Sequence, residues 1–292
     1  MQPQDAPSSF RTRFAPSPSG LLHRGHAFSA LTAFAAAREA GGRFLLRIED
    51  IDTERCRPEF EAAIYEDLAW LGITWETPVR RQSERLDDYQ AALERLRSEG
   101  LVYRCFRTRK EVLDEMVRAP HGPEPQPFRG GPLPGAEEQA RLERGEPFAW
   151  RLSLEAARVR LGPGFGGLGF LEAATDGDDV DFDMVEAEPD RAGDIVLARK
   201  GLGVAYHLAV VVDDALQGIT QVIRGEDLFE ATHVQVLLQR LLGLPTPTYR
   251  HHRLLLRADG KRYAKRDTAE TLRALRQAGF GAAELRGQLG FS

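Results

Sequence analysis

Cysteine is scarce: only Cys56 and Cys105 occur in 292 residues. Two thiols build no disulfide framework, so a reducing cytoplasm is the expected compartment. Long apolar runs are missing too. Nothing approaches the ~20 residues that span a bilayer, so no membrane partner is expected. The N-terminus, MQPQDAPSSFRTRF, lacks the apolar core of a secretory leader. There is no surplus of positive charge either, since the formal net charge is -5. Overall charge therefore does not advertise a nucleic-acid partner, although phosphate contacts need only a local basic surface. Such stretches exist, at Arg104, Arg107, Arg109 and Lys110 and again over residues 250–266, and they read equally well as solvated basic faces. No internal repeat is present. What remains is a hydrophobic content of 42% and a charged content of 28%, ordinary for a globular chain long enough for one large or two moderate domains.

The pattern along the chain is that of an α/β protein. Residues 11–14 read as a strand stopped by Pro16 and Pro18. Residues 25–40 are Ala-rich, with Phe28, Leu31 and Phe34 at helical spacing and Gly41-Gly42 as a stop. RFLLRI, residues 43–48, is a second strand. Strand, helix, strand implies a parallel, right-handed βαβ unit. Helices are expected at 58–71 and 82–98, a strand at 101–105, and a capping box from Thr108 to Glu111 opening a helix that runs to Val117. Residues 119–147 and 161–190 read as loops. A strand pair is expected over 195–198 and 204–212, with Asp213 and Asp214 as a capped helix start after a buried strand. A strand at 219–223 and helices at 228–242 and 268–289 complete the pattern.

The segment RFAPSPSGLLHRGHA joins the first strand to the first helix. His23 and His26 flank Gly25 at the helix start, where free N–H groups and the helix dipole favour an anion. Gly25 keeps a side chain away from an approaching base or phosphate. Two imidazoles there can donate hydrogen bonds to phosphate oxygens as charge develops.

Residues 13–26 resemble the signature R-F-A-P-S-P-[ST]-G-x-L-H-x-G-H of the glutamyl- and glutaminyl-tRNA synthetases, the glutamate branch of class I. Arg24 departs from the usual apolar residue; it either points outward or alters nucleotide contacts. LLRIEDID, residues 45–52, is similar to the family's R-I-E-D segment. The resemblance implies ATP binding at His23, Gly25 and His26. It implies a glutamate pocket built from Arg13, Ala15, Ser17, Glu49, Tyr206 and Arg224. Free glutamate offers two carboxylates and one ammonium. Arg13 and Arg224 supply guanidinium forks, Tyr206 a hydroxyl and Glu49 the counter-charge. Paired cations would select glutamate over glutamine, whose amide sets donors against donors.

A second class I signature, the lysine loop K-M-S-K-S, has its counterpart at Arg262-Tyr263-Ala264-Lys265-Arg266. Lys265 keeps the second lysine and is implied as catalytic with His23 and His26, while Ala264 loses the serine hydroxyl. Ser292 follows shortly after Lys265, so no anticodon-binding domain is expected. In this it resembles the glutamyl-Q tRNA(Asp) synthetases, stand-alone catalytic domains that attach glutamate to queuosine in tRNA(Asp). Members often hold zinc with C-x-C, a Tyr and a later Cys. Here Cys105 stands alone, Arg107 replaces the second cysteine and His121 is at most a single further ligand, so zinc is expected to be absent.

The expectation is therefore a Rossmann-type class I catalytic domain with a parallel sheet. Residues 1–100 and 194–248 form its halves, 101–193 an inserted α/β acceptor-binding-like subdomain, and 249–292 the lysine loop and a helical end. Its partners would be L-glutamate, ATP with Mg²⁺, and tRNA(Asp) carrying queuosine, handled by a cytoplasmic monomer. Two other readings stay open: a truncated glutamyl-tRNA synthetase charging a 3′ end, and a non-catalytic nucleotide- or RNA-binding relic.

Overall fold

A computed structural model describes residues 9–108, 110–112, 127–173, 181–199, 203–256 and 271–291. The first βαβ unit forms where the sequence places it, as strand β1 (Arg11–Phe14), helix α1 (Arg24–Glu39) and strand β2 (Arg43–Ile48). Helix α2 (Pro58–Trp70) has its proline in the first turn, where the missing N–H costs nothing. It leads to strand β3 (Glu76–Arg81), which pairs parallel to β2 as β2 pairs to β1. Helix α3 (Leu86–Ser98) and strand β4 (Val102–Cys105) follow. Thr108 and Glu111 make the expected reciprocal capping bonds, Thr108 N–H to Glu111 at 2.7 Å and Glu111 N–H to Thr108 Oγ1 at 3.2 Å. The helix predicted beyond Val112 lies outside the described residues.

Two stretches expected to be loops carry regular structure. Within 119–147, helix α4 (Gly135–Glu143) is exposed and laced by i,i+4 contacts, Arg141 to Glu137 and Gln139 to Glu143. Strand β5 (Ala149–Leu152) and helix α5 (Leu154–Leu161, capped by Ser153) then precede an antiparallel hairpin of β6 (Gly169–Ala173) and β7 (Phe182–Glu186) within 161–190. Local glycine and acidic content hid these strands; cross-strand pairing supplies what propensity does not.

The strand pair expected over 195–212 is half right. Strands β8 (Val196–Arg199) and β9 (Gly203–Val204) do pair. The following run is not a strand but helix α6 (Tyr206–Leu216), and Asp213 and Asp214 sit inside it. Its run Leu208–Val212 is buried throughout, and the helix packs against α3 and α7 (Phe229–Leu242). Strands β10 (Gln221–Gly225) and β11 (Thr248–His252) are parallel. The expected terminal helix is two, α8 (Leu272–Gln277) and α9 (Ala282–Leu289), separated where Gly279 turns to φ +80.

Strands β10, β11, β6 and β7 form one sheet in that order, and β4, β5, β8 and β9 an antiparallel one. β10 lies along the free side of β1: Thr220 N–H donates to the Arg11 carbonyl at 2.9 Å and Arg11 N–H to Thr220 Oγ1 at 2.8 Å. The chain leaves β1 toward β2 on one side and meets β10 on the other. The crevice beyond the carboxyl ends of β1 and β10 is thus a topological switch point, where open α/β sheets bind ligands. Ala27, Ala30, Ala33 and Ala37 are buried on α1, and their small side chains let it lie close over β1 and β2. None of the described helices is long and apolar enough to cross a membrane.

Candidate active site

A cavity of about 520 Å³ opens at that crevice. Arg13, Ala15, Ser17, His23, Gly25, His26, Glu49, Tyr206 and Arg224, drawn from four separate stretches of sequence, all line it. Lys265, and the whole stretch 262–266, lies outside the described residues. The described chain on either side of it is anchored at this cavity. Leu255 lines the wall, and Thr271 bridges His23, with Leu272 N–H donating to the Leu22 carbonyl at 2.8 Å.

His23 is the N-cap of α1. Its Nδ1 accepts from Gly25 N–H at 3.1 Å, and His26 Nδ1 accepts from His23 N–H at 3.2 Å. A nitrogen that accepts carries no proton, so each ring, in its neutral form, holds its proton on Nε2. The cap therefore sets both tautomers as well as satisfying helix N–H groups. A side chain at Gly25 would press on the His23 ring at 3.1 Å. Arg24 turns away from the cavity: it donates to Gln288 at 2.8 Å and lies over Phe280, tying α1 to the C-terminal helices.

Arg13 and Glu49 rest on a buried ionic network that the sequence did not disclose. Asp214 accepts from Arg13 Nε at 2.9 Å and Nη2 at 3.2 Å, and from Arg47 Nη1 at 2.7 Å. Arg47 Nη2 donates to Glu49 at 3.1 Å. Asp213 accepts from Arg80 at 2.6 Å, Gln82 at 2.8 Å and the Tyr89 hydroxyl at 2.8 Å. The reading of Asp213 and Asp214 as helix-start residues is thus corrected: both are buried acids in the last turn of the helix, with their charges paired. An acid pair inside a valine run, and an arginine inside RFLLRI, were the available signals. Burial would raise the Asp214 carboxyl, but Arg13 and Arg47 bring it down to about 2. Burial pushes Glu49 up from its ordinary value, against the pull of Arg47 and Arg13. Burial also raises the Tyr206 hydroxyl, which stays a neutral donor and acceptor.

Arg224 is held differently. Its Nε donates to His251 Nε2 at 3.1 Å, its Nη2 to Thr232 Oγ1 at 2.7 Å and the Leu228 carbonyl at 3.2 Å, and its Nη1 to the Tyr206 hydroxyl at 3.5 Å. No carboxylate is among its described partners. The buried Arg13 and Arg47 and the part-buried Arg80 face four acids, Asp88, Asp213, Asp214 and Glu49, and Arg224 stands outside this set, held by uncharged groups.

Away from the cavity, Arg104 pairs with Glu138 and lies 4.6 Å over Trp150, which ties this basic residue into the antiparallel sheet. Cys105 is buried with Tyr103, Val112 and Phe128, while Cys56 lies 3.7 Å from Ser17 Oγ. The described residues hold no cluster of three His, Cys, Asp or Glu side chains able to bind a metal. Arg109 and His121 lie outside the described residues.

The family described as tRNA synthetases class I (E and Q), catalytic domain, matches residues 9–155 and 173–286. A glutamyl-Q tRNA(Asp) synthetase of Rhodobacter capsulatus is 48% identical over 96% of this chain and 99% of its own length. A glutamate–tRNA ligase of Aquifex aeolicus is 37% identical over 94% of this chain but 55% of its own. Among solved structures, a glutamate tRNA ligase from Elizabethkingia meningosepticum, in complex with its amino acid, superposes with a TM-score of 0.67 at 29% identity, covering 89% of this chain and 52% of that one. The chain belongs to the class I tRNA synthetases of the E and Q branch and is a ligase of the aminoacyl-tRNA synthetase type.

Proposed function

We propose that the chain uses ATP to activate L-glutamate as glutamyl-adenylate and transfers the glutamyl group to queuosine in the anticodon loop of tRNA(Asp). The observation that carries the first step is how the cavity holds its two arginines. Arg13 is paired with Asp214, whereas Arg224 has only uncharged groups among its described partners, and both line the cavity together with Glu49 and Asp227. Glutamate at neutral pH carries one net negative charge; glutamine carries none. Arg13 Nη1 and the second N–H of Arg224 Nη1, whose first meets the Tyr206 hydroxyl, would meet carboxylates, and Glu49 would meet the ammonium. The Aquifex relative and the amino-acid complex of the Elizabethkingia ligase support glutamate as the amino acid.

In this reading an α-carboxylate oxygen of glutamate attacks the α-phosphorus of ATP, and pyrophosphate leaves. No protein nucleophile is needed; the chain aligns the reactants and offsets charge. His23 and His26, at the positive end of α1, would donate to phosphate oxygens. Lys265 would add a cation at the phosphates. Mg²⁺ is read as arriving with ATP, held mainly by phosphate oxygens.

The glutamyl-Q relatives, matched nearly end to end in Rhodobacter capsulatus, support queuosine as the acceptor. Charging purified tRNA(Asp), with and without queuosine, using labelled glutamate and ATP tests this step. Label on queuosine-bearing tRNA(Asp) alone is expected. Label on the 3′ end of tRNA(Glu) would refute the acceptor, and no label on any RNA would favour a binding relic. The monomeric state proposed alongside is checked by sedimentation.

A further inference from the structure

Arg224 keeps its charge in the cavity because the acid behind it is one residue removed. Arg224 and His251 are register partners on the parallel strands β10 and β11, and His251 Nε2 takes the Arg224 Nε–H at 3.1 Å. A nitrogen that accepts from arginine carries no proton, so the neutral ring holds its proton on Nδ1. Nδ1 lies 2.9 Å from one Glu172 oxygen, and the other Glu172 oxygen accepts the His251 backbone N–H at 2.7 Å. His251 is 6% exposed and its ring is held from both sides. Glu172 belongs to β6, whose Glu172 is in register with Tyr249 on β11. It falls in residues 156–172, between the two stretches that match the family.

We propose that Glu172 is a positioning residue for Arg224. By taking the Nδ1 proton it leaves Nε2 of His251 bare, and the bare nitrogen aims the guanidinium fork into the cavity. The neutral imidazole between them transmits orientation without cancelling the arginine's charge. A carboxylate bonded straight to Arg224 would fix its geometry equally well but neutralise the cation that selects glutamate. This inference rests on the glutamate reading of Arg224.

Glu172→Gln is the discriminating variant, because it changes one acceptor into a donor at constant shape. The amide oxygen can still serve the His251 backbone N–H. The amide nitrogen then faces Nδ1 and favours the opposite tautomer, which sets an Nε2–H against the Arg224 Nε–H. Glutamate-dependent ATP–pyrophosphate exchange should show a KM for glutamate raised about tenfold, the effect of one charge-assisted hydrogen bond, with KM for ATP and kcat within about twofold. An unchanged KM for glutamate, or equal losses in both KM values, would overturn the proposal. Nitrogen-15 NMR of the histidines in the unsubstituted protein gives a second test that needs no variant. His251 must appear as the Nδ1–H tautomer; an Nε2–H tautomer refutes the relay. If the unsubstituted protein shows no glutamate-dependent exchange, the functional reading fails, and the tautomer still decides the relay by itself.

Discussion

Asp214 grips Arg13 by two of its three guanidinium nitrogens while the same carboxylate holds Arg47. One helical acid thereby fixes a cavity-lining arginine on β1 and, through Arg47, the cavity-lining Glu49 after β2. The network is a rigid backing for the site, and its members are almost fully buried. Asp214→Asn keeps the shape but leaves two buried guanidiniums short of one anion. Breaking a buried pair in this way costs about 3–5 kcal/mol. Urea denaturation should show a loss of that size, and surviving folded protein should bind glutamate more weakly. A loss under about 1 kcal/mol would show that the network does not hold the site.

The same carboxylate predicts an acid limit. Asp214 is pushed down to about 2 in the fold, from an ordinary value of 3.8. An acid lowered by folding stabilises at pH values above its ordinary value, and that contribution drains away as pH falls from about 4 through about 2. The difference corresponds to about 2 kcal/mol. Denaturation midpoints measured between pH 5 and pH 2 should fall accordingly, and the Asp214→Asn protein should lack this part of the slope.

Glu49 is the one acid that lines the cavity among the predicted glutamate contacts. Glu49→Gln removes the counter-charge for an ammonium while keeping volume. KM for glutamate should rise roughly 10- to 100-fold, as expected for a lost bond to a charged group, with KM for ATP unchanged. A parallel rise in the KM for ATP would place Glu49 on the nucleotide instead.

His26 has two duties. It caps His23 N–H and, in the proposed reaction, faces the phosphates. His26→Ala should cost about 1 kcal/mol of stability through the lost cap. It should also lower kcat by about 10²–10³ through the lost donor. A variant with the stability loss and normal kcat would leave His26 as a cap alone.

How much of this was legible beforehand depended on range. The β1–α1–β2 unit could be read from local signals, because proline stops, helical periodicity and the Gly41-Gly42 stop all act within a few residues. Helix α6 could not, since its run LAVVV is uniformly apolar and so short a run fits a buried strand or a buried helix equally. Only its neighbours α3 and α7 decide the matter. The hairpin β6–β7 was hidden for a related reason: its strands gain their order from β11, which the sequence reading left unassigned.

The candidate site divides the same way. Residues that lie inside a contiguous signature, such as His23, Gly25 and His26, were reached by motif. Asp214, Arg47, His251 and Glu172 were not, because the partners that join them to the site lie between 27 and 201 residues away. Pairing across such distances leaves no local pattern.

The most direct measurement is exchange of labelled pyrophosphate into ATP, run with glutamate, glutamine and aspartate in turn. A cavity lined by Arg224, which has no carboxylate among its described partners, by Arg13 and by Glu49 predicts exchange that depends on glutamate and is weaker by at least about tenfold with the other two. Equal exchange with glutamine, or none with glutamate, would contradict the account.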